Sequence, residues 1–348
     1  MVLVLALAAA LWGLGAVLRA PFRQRWTLIA ALLALVLLVQ SVLPAGHPMR
    51  EMTGGSAAPW VVLGLLAALV AGYRQVLRML RRRVEASKAP VAPVRPGSFA
   101  PAELDRYARH IILREIGGPG QKALKSARVL VIGAGGLGSP VLLYLAAAGV
   151  GTIGVIDDDV VGLSNLQRQI IHTDEWVGSA KVFSAQARMA ALNPHVVVRP
   201  YQRRLTGEIA AELFAEYDLI LDGSDNFDTR YLVNRLAVAA GKPLISAAIT
   251  QWEGQLSLYD PARGAPCYDC VFPLRPEPGM VPTCAEAGVV APLPGVLGAM
   301  MALEAVKEIT GAGEGLRGRL LIHDALYGET RMIRVERRAD CAVCGARV

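Results

Sequence analysis

The feature that most restricts how this chain can fold is the segment Gly133-Ala-Gly135-Gly136-Leu-Gly138. It lies between the β-branched run ARVLVI of residues 127–132 and the helix-forming VLLYLAAAG that follows Pro140. That order reads as a strand, a tight turn and a helix. The G-x-G-x-x-G spacing lets backbone approach a phosphate closely and points a helix N-terminus at negative charge. A second strand, Thr152 to Ile156, ends at Asp157, nineteen residues after Gly138, where an acid in such a unit grips ribose hydroxyls. These features predict an α/β, Rossmann-like fold with a mostly parallel central sheet. By themselves they also fit a tight turn that holds no ligand.

The first hundred residues have a different composition. Mean hydropathy is +0.40 with 53% hydrophobic residues, too apolar for one ordinary soluble domain. Three apolar runs, Val2–Val17, Trp26–Pro44 and Ala57–Gly72, approach the ~20 residues needed to cross a bilayer, and the third reads as the weakest span. They predict about three transmembrane helices over residues 2–18, 26–44 and 57–73. The first run lacks the basic leader of a cleaved signal and reads as a retained anchor.

Arginines follow the first run (Arg19, Arg23, Arg25) and the third (Arg74, Arg78, Arg81, Arg82, Arg83). The positive-inside rule therefore puts the N-terminus outside and everything after Gly72 in the cytoplasm. The expected organisation is a membrane region over 1–83, a Pro/Ala-rich linker over 84–100 and a catalytic domain over 101–348. The expected location is the inner (cytoplasmic) membrane, multi-pass. Of the net charge of +7, residues 1–100 carry 11 basic and 2 acidic side chains, leaving 25 against 27 beyond them. A nucleic-acid-binding surface on the catalytic domain is thus disfavoured.

Beyond the ribose acid, the segment Asp157-Asp-Asp-Val-Val-Gly-Leu-Ser-Asn165-Leu-Gln167-Arg168-Gln169 precedes Lys181 in VGSAKV. Hydride transfer needs no such cations, whereas a triphosphate under nucleophilic attack does. A further strand, Leu219 to Leu221, opens into Asp222-Gly-Ser-Asp225-Asn226-Phe-Asp228-Thr-Arg230. An acid at the carboxyl end of a parallel strand faces the ligand crevice, and its hard oxygen suits Mg²⁺. The Walker A pattern does not occur.

All five cysteines lie beyond residue 266, which argues against a disulfide-stapled secreted scaffold and for a reducing compartment. Cys267-Tyr-Asp-Cys270 and Cys341-Ala-Val-Cys344 are two C-x-x-C knuckles that can complete a closed, structural Cys₄ zinc site. Seventy residues separate them, far more than in a compact zinc ribbon. Cys284 has no partner left and reads equally as an acyl- or sulfur-accepting thiolate or as an inert loop cysteine. The five histidines form no metal-ligand spacing.

Taken together, GAGGLG, DDD…LSNLQRQ, the lysine of VGSAK, DGSDN and the paired knuckles make residues 101–348 resemble the MoeB/ThiF (HesA/MoeB/ThiF) family, relatives of the ubiquitin-activating enzymes. TCAEAGVVAPLPGVLGAMMALEAVKEITG resembles the MoeB branch, the molybdopterin-synthase adenylyltransferases of molybdenum cofactor biosynthesis. DDDVVGLSNLQRQI and QRRLTGE also resemble the ThiF branch of thiamine biosynthesis. The resemblance implies adenylation, with ATP and Mg²⁺, of the C-terminal Gly-Gly carboxylate of a ubiquitin-like sulfur-carrier protein, releasing pyrophosphate.

The resemblance also implies site roles. Gly133, Gly135, Gly136 and Gly138 form the nucleotide turn, Asp157 binds ribose, and Arg168 and Lys181 hold phosphates. Asp225 is the magnesium-linked acid, and Asn165, Gln167 and Asn226 are nucleotide contacts. Arg109 matches an arm arginine that reaches the ATP of the other subunit of a homodimer. Cys284 matches a cysteine with a sulfur role in ThiF-like members. The N-terminal spans are an addition to the family pattern. Competing readings are a membrane-anchored NAD oxidoreductase, a tRNA-base adenylating dehydratase, and a non-enzymatic membrane docking module for a carrier protein. The first leaves Arg168, Lys181, Asp225 and the knuckles unused, and the last predicts loss of charged residues that are present.

Overall fold

The computed structural model describes residues 2–18, 21–44, 46–87, 98–277, 280 and 284–345. Two compact units divide near residue 93. The first holds helices α1 (Val2–Val17), α2 (Phe22–Val42), α3 (Pro48–Met52) and α4 (Ala58–Ser87). Trp12 and Trp26 meet edge to face at 5.0 Å where α1 lies on α2. Val4, Val36 and Trp60 make a small buried cluster. The indole of Trp60 donates to the Thr53 carbonyl at 2.9 Å, and the Gln40 amide donates to the Arg50 carbonyl and the Thr53 hydroxyl, so α3 is tied across the α2–α4 turn.

Two described helices are long and apolar enough to cross a membrane, Gln24–Val42 and Ala58–Leu77. Expecting three full spans, with the third the weakest, needs correction. The third run continues into a 30-residue helix, because its arginines and aliphatics are strong helix formers and no breaker intervenes before Ser87. The first run stops at 16 residues, about 24 Å at 1.5 Å per residue, short of a ~30 Å hydrocarbon core. The linker expected from residue 84 begins after Ser87. Its central stretch, 88–97, lies outside the described residues, as do Arg19 and the side chains of Arg23, Arg78, Arg81, Arg82 and Arg83.

The second unit runs α5 (Pro101–Arg106), α6 (Ala108–Ile111), α7 (Gly117–Ser126), β1 (Arg128–Ile132), α8 (Gly138–Ala148), β2 (Thr152–Ile156), α9 (Lys181–Leu192), β3 (Val197–Tyr201), α10 (Gly207–Ala215), β4 (Leu219–Asp222), α11 (Phe227–Ala240), β5 (Leu244–Ile249), β6 (Glu253–Tyr259), α12 (Tyr268–Val271), α13 (Cys284–Ala287), α14 (Pro292–Thr310), β7 (Arg319–Asp324) and β8 (Glu329–Arg334). One eight-stranded sheet has the order β3-β2-β1-β4-β5-β6-β7-β8. Its first five strands are parallel, and the last three join antiparallel.

The inner parallel strands β1, β2, β4 and β5 are largely apolar and buried because helices cover both faces, whereas the edge strand β3 is partly exposed. Period-two alternation splits β1: Val129 and Val131 face one core with α8, α9 and α14, while Leu130 and Ile132 face another with Phe214, Tyr217 and Tyr231. Replacing the fully buried Phe214 by Ala removes a large part of that second core, at a cost of about 3–5 kcal/mol. The chain leaves β1 toward β2 on one side and returns to β4 on the other. A crevice therefore opens at the carboxyl ends of β1 and β4, where sheets of this kind hold ligands.

Candidate active site

Gly133 takes φ +91°, a left-handed conformation, to turn the chain out of β1, and its N–H donates to the Ile156 carbonyl at 2.9 Å. Gly138 is glycine for a steric reason: a Cβ there would stand 2.0 Å from the Gly133 carbonyl oxygen. Asp157, at the end of β2, accepts from the Ala134 N–H at 2.7 Å through one oxygen and from the Asp159 N–H at 2.8 Å through the other. The expected ribose acid thus also fastens the glycine turn. Behind the turn, buried His172 bonds the Ala134 carbonyl through Nε2 and the Ser184 hydroxyl through Nδ1, both at 2.9 Å. Burial holds its pKa below the usual histidine value, so the neutral ring props the loop. Spacing gave no hint of His172, because its partners come from two distant segments.

The turn forms one wall of a cleft of about 730 Å³. Gly133, Gly135, Gly136, Asp157, Arg168, Lys181, Asp225 and Asn226 all line it. Lys181 starts α9 with its side chain 6% exposed, and its ammonium lies 2.8 Å from Asp159. Arg168 donates to the Ser164 carbonyl at 3.3 Å and carries no ion pair among the described residues. Asp225, beyond β4, is exposed and without an ion pair among the described residues, a hard oxygen of the kind that could hold Mg²⁺. Asn226 uses its side-chain oxygen to cap α11 through the Thr229 N–H at 2.9 Å.

Four expected residues are not in the cleft wall. Gly138 sits behind the turn, Asn165 ends the preceding 3₁₀ segment, and Gln167 lies in the turn after it; neither Asn165 nor Gln167 is in the lining. Arg109, on α6, is exposed and outside its own chain's cleft. Cys284 starts α13, and its side chain lies outside the described ones.

Residues that spacing did not single out complete the wall. Arg203 and Arg204, after β3, line the cleft with no carboxylate partner among the described residues, as does Gln169. Arg230 is buried, donating to the Ser224 carbonyl at 2.6 Å, the Ala247 carbonyl and the Ser246 hydroxyl, with Asp222 at 3.6 Å. It pins the loop that carries Asp225.

The four knuckle cysteines converge. Cys267 Sγ lies 3.8 Å from Cys270 and 3.6 Å from Cys341, and Cys270 lies 3.4 Å from Cys344. A tetrahedron of sulfurs at the usual Zn–S length has edges of about 3.8 Å, so the donor set fits zinc. Burial pushes the thiols of Cys267 and Cys270 up. At Cys341 burial acts the same way, but the N–H groups of Cys344 and Val343 and the neighbouring thiols bring the value down to about 7. Four buried thiolates need a cation, and zinc would supply that charge. Tyr268, between the first two cysteines, lines the cleft, and Asn234 joins α11 to this knuckle through the Tyr268 N–H and Asp269.

The ThiF family model matches residues 107–343. The sulfur carrier protein adenylyltransferase of Thermus thermophilus is 52% identical, covering 70% of this chain and 91% of that protein. Adenylyltransferase and sulfurtransferase MOCS3 of Bos taurus is 46% identical, covering 81% and 64%. The probable adenylyltransferase/sulfurtransferase MoeZ of Mycobacterium tuberculosis is 53% identical, covering 68% and 61%. The chain thus spans less than two thirds of the length of MOCS3 and MoeZ. Among solved structures, E. coli MccB superimposes with a TM-score of 0.62 at 23% identity, covering 72% of this chain and 76% of that one. PaaA gives 0.60 at 22%, covering 85% and 91%. These two speak for the fold alone. With the family model covering more than half of the chain, and a relative matched over nine tenths of its length, the chain belongs to the ThiF family.

Proposed function

We propose that this protein uses ATP to adenylate the C-terminal carboxylate of a small sulfur-carrier protein, releasing pyrophosphate. The observation that carries the reading is the convergence of the glycine turn, Asp157, Arg168, Lys181 and Asp225 on one cleft, in a chain 52% identical to a sulfur carrier protein adenylyltransferase. A terminal carboxylate, with a pKa of about 3.5, is already the nucleophile at neutral pH and requires no general base. The protein's task is to bring that anion in line with the α-phosphorus of a polyanion. Positioning plus cations accomplishes this: Arg168 and Lys181 offset charge on the phosphoryl oxygens, and Asp157 holds the ribose. Asp225 is the residue that would hold magnesium, whose charge would stabilise the same oxygens.

The carrier we propose is the molybdopterin-synthase small subunit, on the MoeB-like stretch that forms α13 and α14. A thiamine-type carrier is the second reading, favoured by QRRLTGE, whose Arg203 and Arg204 line the cleft. We also place α2 and α4 in the cytoplasmic membrane, with the catalytic unit in the cytoplasm. The catalytic units work as a homodimer in which Arg109 serves the partner's ATP. The full-length protein should then pellet with membranes after gentle lysis, and its recovery in the detergent-free soluble fraction refutes the anchor.

ATP–pyrophosphate exchange tests the activity. Detergent-solubilised protein is given each carrier in turn, and then each carrier lacking its terminal Gly-Gly. Exchange with one intact carrier names it; exchange with neither refutes the adenylation reading.

A further inference from the structure

We propose that Gln121 and His110 are positioning residues for Arg109, and through it serve the partner subunit's nucleotide site rather than their own. This deepens the homodimer reading above and rests on it. Arg109 is exposed, and its side chain has no hydrogen bond or ion pair among the described residues. It rides on α6, which is four residues long, too short to keep its conformation without side-chain fastening. The direction of the arginine is therefore set by whatever fastens α6.

Two anchors flank Arg109. Tyr107 and His110 are three positions apart, on one face of the turn, with the arginine on the other. Tyr107 is 4% exposed; its hydroxyl accepts from the Asn193 amide at 2.8 Å, and that amide also donates to the Ala146 carbonyl at 2.7 Å. On the other side, the His110 ring meets Gln121 of α7, Nδ1 to Oε1 at 3.1 Å. Gln121 is fully buried, and its Nε2 donates to the Ala148 carbonyl at 2.8 Å. With the amide nitrogen committed in this way, Oε1 accepts and Nδ1 of His110 donates. Both anchors end on the last turn of α8, so the arginine is referred to the helix that begins at the glycine turn. A leucine would fill the Gln121 position, but only an amide ties α6 to α8 there, and both ends of this one are used. Neither Gln121 nor His110 lines the chain's own cleft, so their route to the reaction runs through Arg109.

The test uses mixed dimers of full-length, detergent-solubilised protein, isolated through different tags on the two chains. One chain carries Asp225→Asn, which disables its own cleft and keeps a wild-type arm; the other carries Gln121→Leu. ATP–pyrophosphate exchange is read with the molybdopterin-synthase small subunit and the thiamine sulfur carrier supplied together. As a homodimer, Gln121→Leu should exchange about 10- to 100-fold more slowly than wild type, the cost of displacing a charged group by about 1 Å. In the mixed dimer the intact cleft is served by the wild-type arm, and exchange should return to about half the wild-type rate, one working site of two. His110→Leu should behave alike, and it carries the test if Gln121→Leu does not fold. His110→Asn keeps a donor near the Nδ1 position and should stay within about threefold of wild type. A Gln121→Leu homodimer within about twofold of wild type overturns the assignment. So does a mixed dimer as slow as that homodimer when one pairing Asp225→Asn with Arg109→Ala recovers. Failure of the Arg109→Ala pairing to recover removes the arm's service to the partner, and with it the homodimer reading, whereas absence of exchange by wild-type protein refutes adenylation itself.

Discussion

The four glycines of the turn serve different ends, and alanine substitution separates them. A Cβ on Gly138 would fall 2.0 Å from the Gly133 carbonyl oxygen and 2.9 Å from its carbon, where real Cβ atoms keep at least 3.0 Å. About 1 Å must be recovered by moving backbone on one side or the other. Gly133 cannot give way cheaply, since it is held at φ +91° and its N–H is tied to β2. Gly138 cannot either, since it begins α8 and packs against Val131. Overpacking of this kind costs about 3 kcal/mol, and losing the turn's hydrogen bond adds about 1 kcal/mol. At about 2–4 °C per kcal/mol for a domain of this size, Gly138→Ala should lower the melting midpoint by roughly 8–16 °C. A Cβ on Gly135 meets nothing nearer than 3.6 Å, so Gly135→Ala should melt within about 2 °C of wild type. It nonetheless puts a methyl group beside the phosphate path, and ATP affinity should drop at least about tenfold. Thermal melts and ATP titration of the two variants decide the matter. A Gly138→Ala protein as stable as wild type, or a Gly135→Ala protein that binds ATP normally, would show that the steric reasoning is wrong.

Asp225 is exposed and has no ion pair among the described residues, so Asp225→Asn should leave the melting curve unchanged while lowering pyrophosphate exchange by at least about 100-fold; a proportionate loss of both would make it a structural residue. One zinc per chain should be found by mass spectrometry. Cys341→Ser should abolish that metal and shift the melting midpoint down, whereas unchanged metal content in the variant counts against the Cys₄ assignment. The folded protein disfavours the charged form of His172, so the unfolded chain binds the extra proton. Stability is therefore full above the unfolded value of about 6.5 and falls as pH drops through it. The melting midpoint of His172→Gln should fall less between pH 7.5 and 5.5 than that of wild type, and parallel pH profiles exclude the ring as the cause.

Features coded by neighbours in sequence were readable without coordinates. β2 ends at Ile156 with Asp157 next, as its pattern required, and the glycine turn faces the crevice. The cysteine knuckles were legible for another reason: two short local motifs share one metal chemistry, which compensates for their separation. His172 and Arg230 act through partners between 6 and 38 positions away, and nothing in their local pattern distinguishes them from ordinary polar residues. Asn165 and Gln167 share a motif with Arg168, but in the folded chain only Arg168 of the three lines the cleft. At α4 the apolar run ended where hydropathy said it would, but the helix did not, because helix propensity continues through its arginines.

The sulfur cluster has a topological consequence for the cleft. With one ion bound to all four cysteines, everything between Cys270 and Cys341 becomes a closed excursion containing α13, α14, β7 and β8. A covalent crosslink closing about 70 residues withholds roughly 4 kcal/mol of configurational entropy from the denatured chain. That excursion includes Pro294 of α14, whose ring lies 3.1 Å from the Cβ position on Gly136. An ion held there would therefore act as a drawstring on the denatured chain, favouring the fold that seats α14 beside the nucleotide turn without itself touching the nucleotide.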